Sequence, residues 1–207
     1  HDEAGADLVS LVTILHFDRV VDTVLRQTKG KLFSKNILSR IGEYRMERRG
    51  RRRAGRFFFQ NQTMRAVARA RRKGNKYVFA RPLLGAGFDI LVEIYEARLV
   101  RRGLICQDLA DRSTHATAQG HPAIRREFAA QFKANPDGFT DALREATADF
   151  ARLLAAAWRM ARRTGVTFSR VASNIAAADA RLNRGRYTAI IRRAFARRQI
   201  AVRGARP

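Results

Sequence analysis

Acidic residues are scarce in this chain: eighteen Asp and Glu stand against forty-two Lys and Arg in 207 residues, giving a formal net charge of +24. A solvated surface usually mixes both signs, so an imbalance this large argues against charge that serves solubility alone. Cysteine is nearly absent. Cys106 is the only one, which excludes a disulfide framework, suits a reducing, cytoplasmic setting and leaves a small core residue as the expected role. Four histidines, at positions 1, 16, 115 and 121, form no His-Glu-x-x-His pattern, and no carboxylate cluster stands at ligand spacing, so no metal is expected. Long apolar runs are missing as well. The longest, Leu8 to Phe17, is interrupted by Ser10, Thr13 and His16, too short and too polar for a bilayer span. No phosphate-binding loop appears, and Gly85-Ala-Gly87 lacks the third glycine and the preceding strand of a dinucleotide fingerprint, so no cofactor is expected. The chain opens on His1 and not on methionine, so the expectation is an N-terminus that is absent or processed.

What is abundant is arginine, thirty-six against six lysines. It comes in blocks: Arg45, Arg48, Arg49, Arg51, Arg52, Arg53 and Arg56; then Arg65, Arg69, Arg71 and Arg72 with Lys73; finally Arg192, Arg193, Arg197 and Arg198. The last acid is Asp179, and nine arginines follow it. A planar guanidinium grips phosphate oxygens through two parallel hydrogen bonds, whereas the lysine ammonium is a hydrated point charge. Nucleic acid is therefore the leading partner, duplex DNA before RNA. An acidic membrane surface and the interior of a ribonucleoprotein or virion stand behind it. Phe57, Phe58 and Phe59 after Arg56 suit stacking on unpaired bases or, preferably, a core plug.

Hydrophobic residues make up 46% of the chain, enough for a core. Their spacing predicts a mainly α-helical fold. One helix is expected from Ala6 to about Gln27, closed by Gly30, and a second from near Ser34 into the first arginine block. A third is expected from about Gln62 to Lys73. Lys76 to Ala80 suggests a short strand, and Pro82, Gly85 and Gly87 a linker. From Phe88 to Leu99 the pattern predicts a helix, with a strand as runner-up and with Glu93 and Glu96 on the outer side. Leu104-Ile105 follows as a short extended segment. Cys106 to Arg112 predicts a short helix, and a further one starts at Thr117 or Pro122 and runs to about Lys133. Asn135-Pro-Asp-Gly138 predicts a turn. Thr140 is the expected cap of a long helix through Leu143, Phe150, Leu154 and Trp158, of a length suited to a scaffold or subunit contact. Two more helices are expected, from Thr167 to about Asp179 and from Arg186 to about Ile200. The division is three segments: N-terminal helices with arginine blocks over 1–80, a core over 83–139 and C-terminal helices with a basic tail over 140–207.

Catalytic constellations are thin. His115 and His121 flank Ser113, Thr114, Thr117 and Gln119, which permits a sketch of nucleophile and base, but no third group orients them. No enzyme is expected.

The stretch Phe88-Asp-Ile-Leu-Val-Glu-Ile-Tyr-Glu-Ala-Arg-Leu99, Arg102-Gly-Leu-Ile105, Gln107-Asp-Leu-Ala-Asp-Arg-Ser113 and Ile124-Arg-Arg126 resembles the core of MarR-type winged helix-turn-helix regulators. Arg51-Arg-Arg-Ala-Gly-Arg-Phe57 is similar to the arginine-rich segment that precedes that core. The resemblance covers about residues 88–131 and implies a DNA-binding transcriptional regulator. In it, Cys106 to Arg112 supports a recognition helix over Thr117 to Gln131, and Thr117, Gln119, His121, Arg125 and Arg126 lie in or beside the major groove. It also implies a homodimer, with the long helix from Thr140 as dimerisation helix packed on the helix from Ala6. Two departures stand out: only about seven residues, Lys133 to Phe139, are left for a wing, and many arginines lie far from the reading helix. The alternative class is a non-enzymatic structural subunit of a nucleic-acid-containing assembly, holding its polyanion through Arg48, Arg49, Arg51, Arg52, Arg53, Arg56, Arg192, Arg193, Arg197 and Arg198 without reading sequence.

Overall fold

The computed structural model describes residues 2–34, 36–40, 63–68, 76–115, 121–161 and 164–204. Within them the protein is all-helical. The elements are α1 (Asp2–Ile14), α2 (Asp18–Thr28), a 3₁₀ turn (Ile37–Arg40), α3 (Lys76–Phe79), α4 (Arg81–Arg101), α5 (Gln107–His115), α6 (His121–Ala134), α7 (Pro136–Arg159), α8 (Phe168–Asn183) and α9 (Thr188–Arg197). The arginine block at 45–56 and the phenylalanine triplet lie outside the described residues, as do most of the helix expected from Ser34 and half of that expected from Gln62, whose described residues 63–68 are mainly turn.

The single helix expected over 6–27 is two. Phe17 adopts extended backbone (φ −88°, ψ 117°) and sets a corner at which α2 restarts, with Asp18 in its first turn, where a carboxylate favours the positive end of the dipole. The corner turns Val21, Val24 and Leu25 into the core and leaves Phe17 61% exposed. Gly30 closes α2 as expected. Lys29 and Gly30 both take left-handed torsions, the Gly30 N–H bonds to Leu25 O at 3.1 Å, and Tyr95 Oη donates to Gly30 O at 2.9 Å.

The expected strand at 76–80 and linker at 82–87 are helical instead, as α3 and the start of α4. Pro82 falls in the first turn of α4, where its missing N–H costs nothing. The two glycines that suggested a linker are sites of close approach. A Cβ on Gly87 would stand 2.5 Å from Leu8 Cδ2, and one on Gly85 2.7 Å from Arg198 Cζ. No strand occurs among the described residues, and Leu104-Ile105 is a bend after the left-handed Gly103.

Helix α4 is the axis of the fold. Every residue from Pro82 to Glu96 is buried, the signature of a helix wrapped on all sides. Glu93 and Glu96, expected outside, are therefore inside, together with Asp89. Helices α7, α9 and α1 pack around α4, and α7 also meets α8 and α2. One apolar cluster runs from Leu8 and Val24 through Phe88 and Tyr95 to Phe150, Ile175 and Phe195. Each such fully buried side chain contributes about 1.5–3 kcal/mol.

Helix α7 starts earlier than expected. Asn135, not Thr140, is its cap, accepting from Gly138 N at 2.9 Å, with Pro136 in the first turn. The stripe Leu143, Ala146, Phe150, Leu153, Leu154 and Ala157 is buried inside the same chain. That stripe packs within the chain against α4, α8, α2 and α1. Cys106, expected in the core, is exposed.

Candidate nucleic-acid interface

Helices α5 and α6 occupy the region that resembles a helix-turn-helix. Leu109 and Ala110 of α5 and Ile124 and Phe128 of α6 supply the shared apolar contact. Arg112 ties the two together. Its Nη1 and Nη2 donate to Glu127 Oε1 and Oε2 at 2.9 and 2.6 Å, while Nε donates to Asp108 Oδ2 at 2.7 Å. The Glu127 hydrogen bonds raise the Arg112 pKa above its ordinary value, and the same bonds hold Glu127 below the usual carboxylate range. Both groups face solvent, so this fork sets geometry more than stability.

Of the residues expected to read bases, Thr117 and Gln119 lie outside the described residues. His121 is half-buried, its Nε2 2.9 Å from Phe33 O. Arg125 is exposed, but its Nη2 donates to Gln27 O at 3.1 Å, at the carbonyl end of α2. Arg126 is exposed and engages no carboxylate among the described residues. The seven residues left for a wing are spent on helix: α6 ends at Ala134 and α7 begins at Pro136.

The C-terminal arginines are placed differently from expectation. Three of the four expected to face phosphates face carboxylates of α4. Arg198 Nη2 lies 3.0 Å from Asp89 Oδ2, with its side chain only 7% exposed. Arg197 bridges Asp89 and Glu93, and Arg193 donates to Glu93 through both Nε and Nη2. Burial pushes the Asp89 carboxyl above its ordinary value, and Arg198 and Arg197 pull against that rise. The physical reason is the burial of α4: a carboxylate withdrawn from water needs a fixed cation beside it. Arg198 is therefore removed from the candidate surface. Arg193 and Arg197 retain partial exposure, and Arg192 is half-buried. A signal for this existed in the sequence, since Asp89 and Glu93 stand four apart on one helix and Arg193 and Arg197 four apart on another.

A second network centres on Asp149 of α7, which accepts from Arg98, Arg152 and Tyr187 Oη. Glu145 accepts from both Arg98 and Arg102. Burial raises the Asp149 carboxyl, but hydrogen bonds from Arg98 and Tyr187 outweigh it and leave the group below its ordinary value. Burial and the Asp149 bond together raise the Tyr187 phenol.

A third cluster, which sequence reasoning missed, lies beneath the segment after α2. Lys31, fully buried, donates from Nζ to Ser113 Oγ at 3.0 Å, and Ser113 Oγ donates to Glu96 Oε1 at 2.7 Å. The ammonium also lies 5.8 and 5.9 Å from the ring centres of Phe33 and Phe128, a cation–π contact. Burial lowers Lys31 to about 8 against the pull of Glu96, and burial raises Glu96 to about 8 against the Ser113 bond and Lys31. Of the residues in the nucleophile-and-base sketch, Thr117 and Gln119 lie outside the described residues. Ser113 meets neither histidine but joins a lysine to a glutamate, and His115 Nδ1 turns back to Asp111 O.

The acids of the described residues are largely committed, while Arg101, Arg126, Lys133, Arg159 and Arg184 are exposed with no ion pair among those residues. Within the same residues no group of His, Cys, Asp and Glu suits a metal ion, and no helix is long and apolar enough to cross a membrane. Comparison with protein-family models, with curated proteins and with solved structures returned no match.

Proposed function

We propose that this protein binds nucleic acid, with duplex DNA as the first candidate and the α5–α6 pair as the part laid against it. One observation carries the proposal: four acids of α4 and α7 are taken up by arginines of the same fold. Asp89, Glu93, Asp149 and Glu145 together hold Arg98, Arg102, Arg152, Arg193, Arg197 and Arg198. The other charges of the chain are still mostly cationic, and the sequence adds Arg48, Arg49, Arg51, Arg52, Arg53 and Arg56 with only Glu43 and Glu47 nearby. A fixed excess of this kind needs phosphate or condensed anions.

Two readings divide on sequence preference. A transcriptional regulator of helix-turn-helix type reads bases from the start of its recognition helix. Here His121 and Arg125 are engaged by carbonyls of Phe33 and Gln27, and this favours the second reading, a subunit that grips the phosphate backbone without reading it. A competition assay separates them. Labelled duplex is bound at low salt and challenged with scrambled duplex, single-stranded DNA and RNA. A regulator retains one duplex against a large excess of scrambled competitor, whereas a backbone binder loses it in proportion. In either case affinity falls steeply between about 50 and 200 mM salt. A flat salt profile defeats both.

A further inference from the structure

At the far end of α7 from the α5–α6 pair, a cavity of about 590 Å³ opens between α1, α7 and the start of α8. Small residues, Gly5, Ala6, Ala157 and Ala161, leave the space, Trp158 forms a face, and polar and apolar atoms share the walls. Trp158 is the sole tryptophan of the chain and is 38% exposed. Its ring is held from one side by Gly5, where a Cβ would come within 3.0 Å of Cζ2. Space of this size is typical of small-ligand sites.

Two polar groups give the cavity a direction. Asn174 lines it and donates from Nδ2 to Ala157 O at 3.2 Å. A carbonyl only accepts, so the amide orientation is fixed and Oδ1 is left to accept an N–H from an occupant. At the rim, Arg170 donates from Nη1 to the carbonyl of the lining residue Gly165 at 3.1 Å, which holds an exposed cation at the mouth. Arg159 is exposed one position beyond Trp158, and Asp7, beside Ala6, is half-buried and already engaged.

A flat face, a hydrogen-bond acceptor and a cationic mouth match a heteroaromatic ring that carries N–H on its edge and an anion on its tether. We propose that this cavity takes an unpaired nucleobase of a single-stranded nucleic acid, stacked on Trp158 with its phosphate toward Arg170. The proposal rests on nucleic-acid binding and adds a second contact, remote from α5–α6. Base stacking on an aromatic side chain tolerates any sequence because every base presents a π face.

Because Trp158 is the only tryptophan, its fluorescence reports this cavity directly. The full chain is titrated with a labelled single-stranded decamer, with a duplex of the same length and with adenosine monophosphate, reading label anisotropy and Trp158 emission together. Saturable quenching by the single strand is expected, with little from the duplex. Ala161→Leu fills the cavity without removing the fluorophore; it should abolish the quenching and weaken single-strand affinity at least about fivefold, leaving duplex affinity within about twofold. Asn174→Leu is a second variant that should weaken the single strand alone, and circular dichroism confirms that both variants fold. Anisotropy that rises for the single strand while Trp158 emission stays unchanged in the wild type, or an Ala161→Leu variant of unaltered affinity, overturns the base-stacking cavity and leaves nucleic-acid binding standing. Quenching by the mononucleotide with none by the decamer overturns a strand as the source. Absence of any anisotropy change with every nucleic acid at low salt removes the broader reading, and this one with it.

Discussion

Asp89→Ala tests the claim that the C-terminal arginines are structural partners of α4. The substitution removes the carboxylate that Arg198 meets at 3.0 Å and that Arg197 shares. The Arg198 side chain is 7% exposed, and guanidinium does not give up its proton in a protein, so the charge stays buried with the Asp89 carboxylate gone. Breaking a buried pair from one side costs about 3–5 kcal/mol, against a total stability on the order of 5–15 kcal/mol for a native protein. At about 2–4 °C per kcal/mol for a chain of this size, melting should fall by roughly 10 °C. Urea titration followed by circular dichroism should show the midpoint move with little change in slope. The pair itself need not be stabilising, since an apolar replacement of both partners restores much of the loss. Asp89→Leu with Arg198→Met should therefore be markedly more stable than Asp89→Ala. A loss below about 1 kcal/mol for Asp89→Ala, with the slope unchanged, refutes the argument.

Other consequences are equally direct. Glu96, held near 8, keeps a proton that the unfolded chain gives up near 4.5, so stability falls as pH rises through that window. Lys31, also near 8, releases a proton that the unfolded chain keeps to about 10.5, so stability rises again above 8. Denaturation midpoints followed across this range should dip near pH 8, and Glu96→Gln should flatten the falling limb; a wild-type profile without the dip contradicts the buried cluster. Gly30→Ala should cost more than about 2 kcal/mol, because φ is +79° and a Cβ would stand 2.6 Å from Phe139 Cε1, and an unchanged midpoint would show that the turn relaxes. Asn135→Ala should cost about 1 kcal/mol through loss of the α7 cap, measurable in the same assay, whereas Thr140→Ala, one turn inside α7, should cost less.

Helical periodicity was legible where one face of a helix is apolar and the other polar. The stripes of α6, α7, α8 and α9 are of this kind, and the structure has these helices with ends moved by a few residues. It was misleading at α4. A helix buried on every side has no polar face to mark its period, so Gly85 and Gly87 suggested a linker and Glu93 and Glu96 an outer surface. The corner at Phe17 was hidden for the opposite reason: apolar residues continue through it, and only a three-residue turn, Leu15 to Phe17, divides α1 from α2. Of the candidate site, Arg125 and Arg126 lie on α6 with exposed side chains. The destination of Arg193, Arg197 and Arg198 was not legible from their clustering alone. A block of like charge in sequence shows a need for counter-charge, but whether that comes from a phosphate or from a helix about a hundred residues earlier depends on packing. Lys31 was invisible because nothing local distinguishes a lysine bound for the interior from any other.

The distance along the chain between Glu93 and Arg193 also sets an order of events. During synthesis α4 emerges with two carboxylates that cannot be withdrawn from water until α9 has been made, so the centre of the molecule waits for a helix far along the chain. A product truncated before Arg193 would carry an acidic groove where the intact protein has a filled interior, a ready target for the cell's proteases.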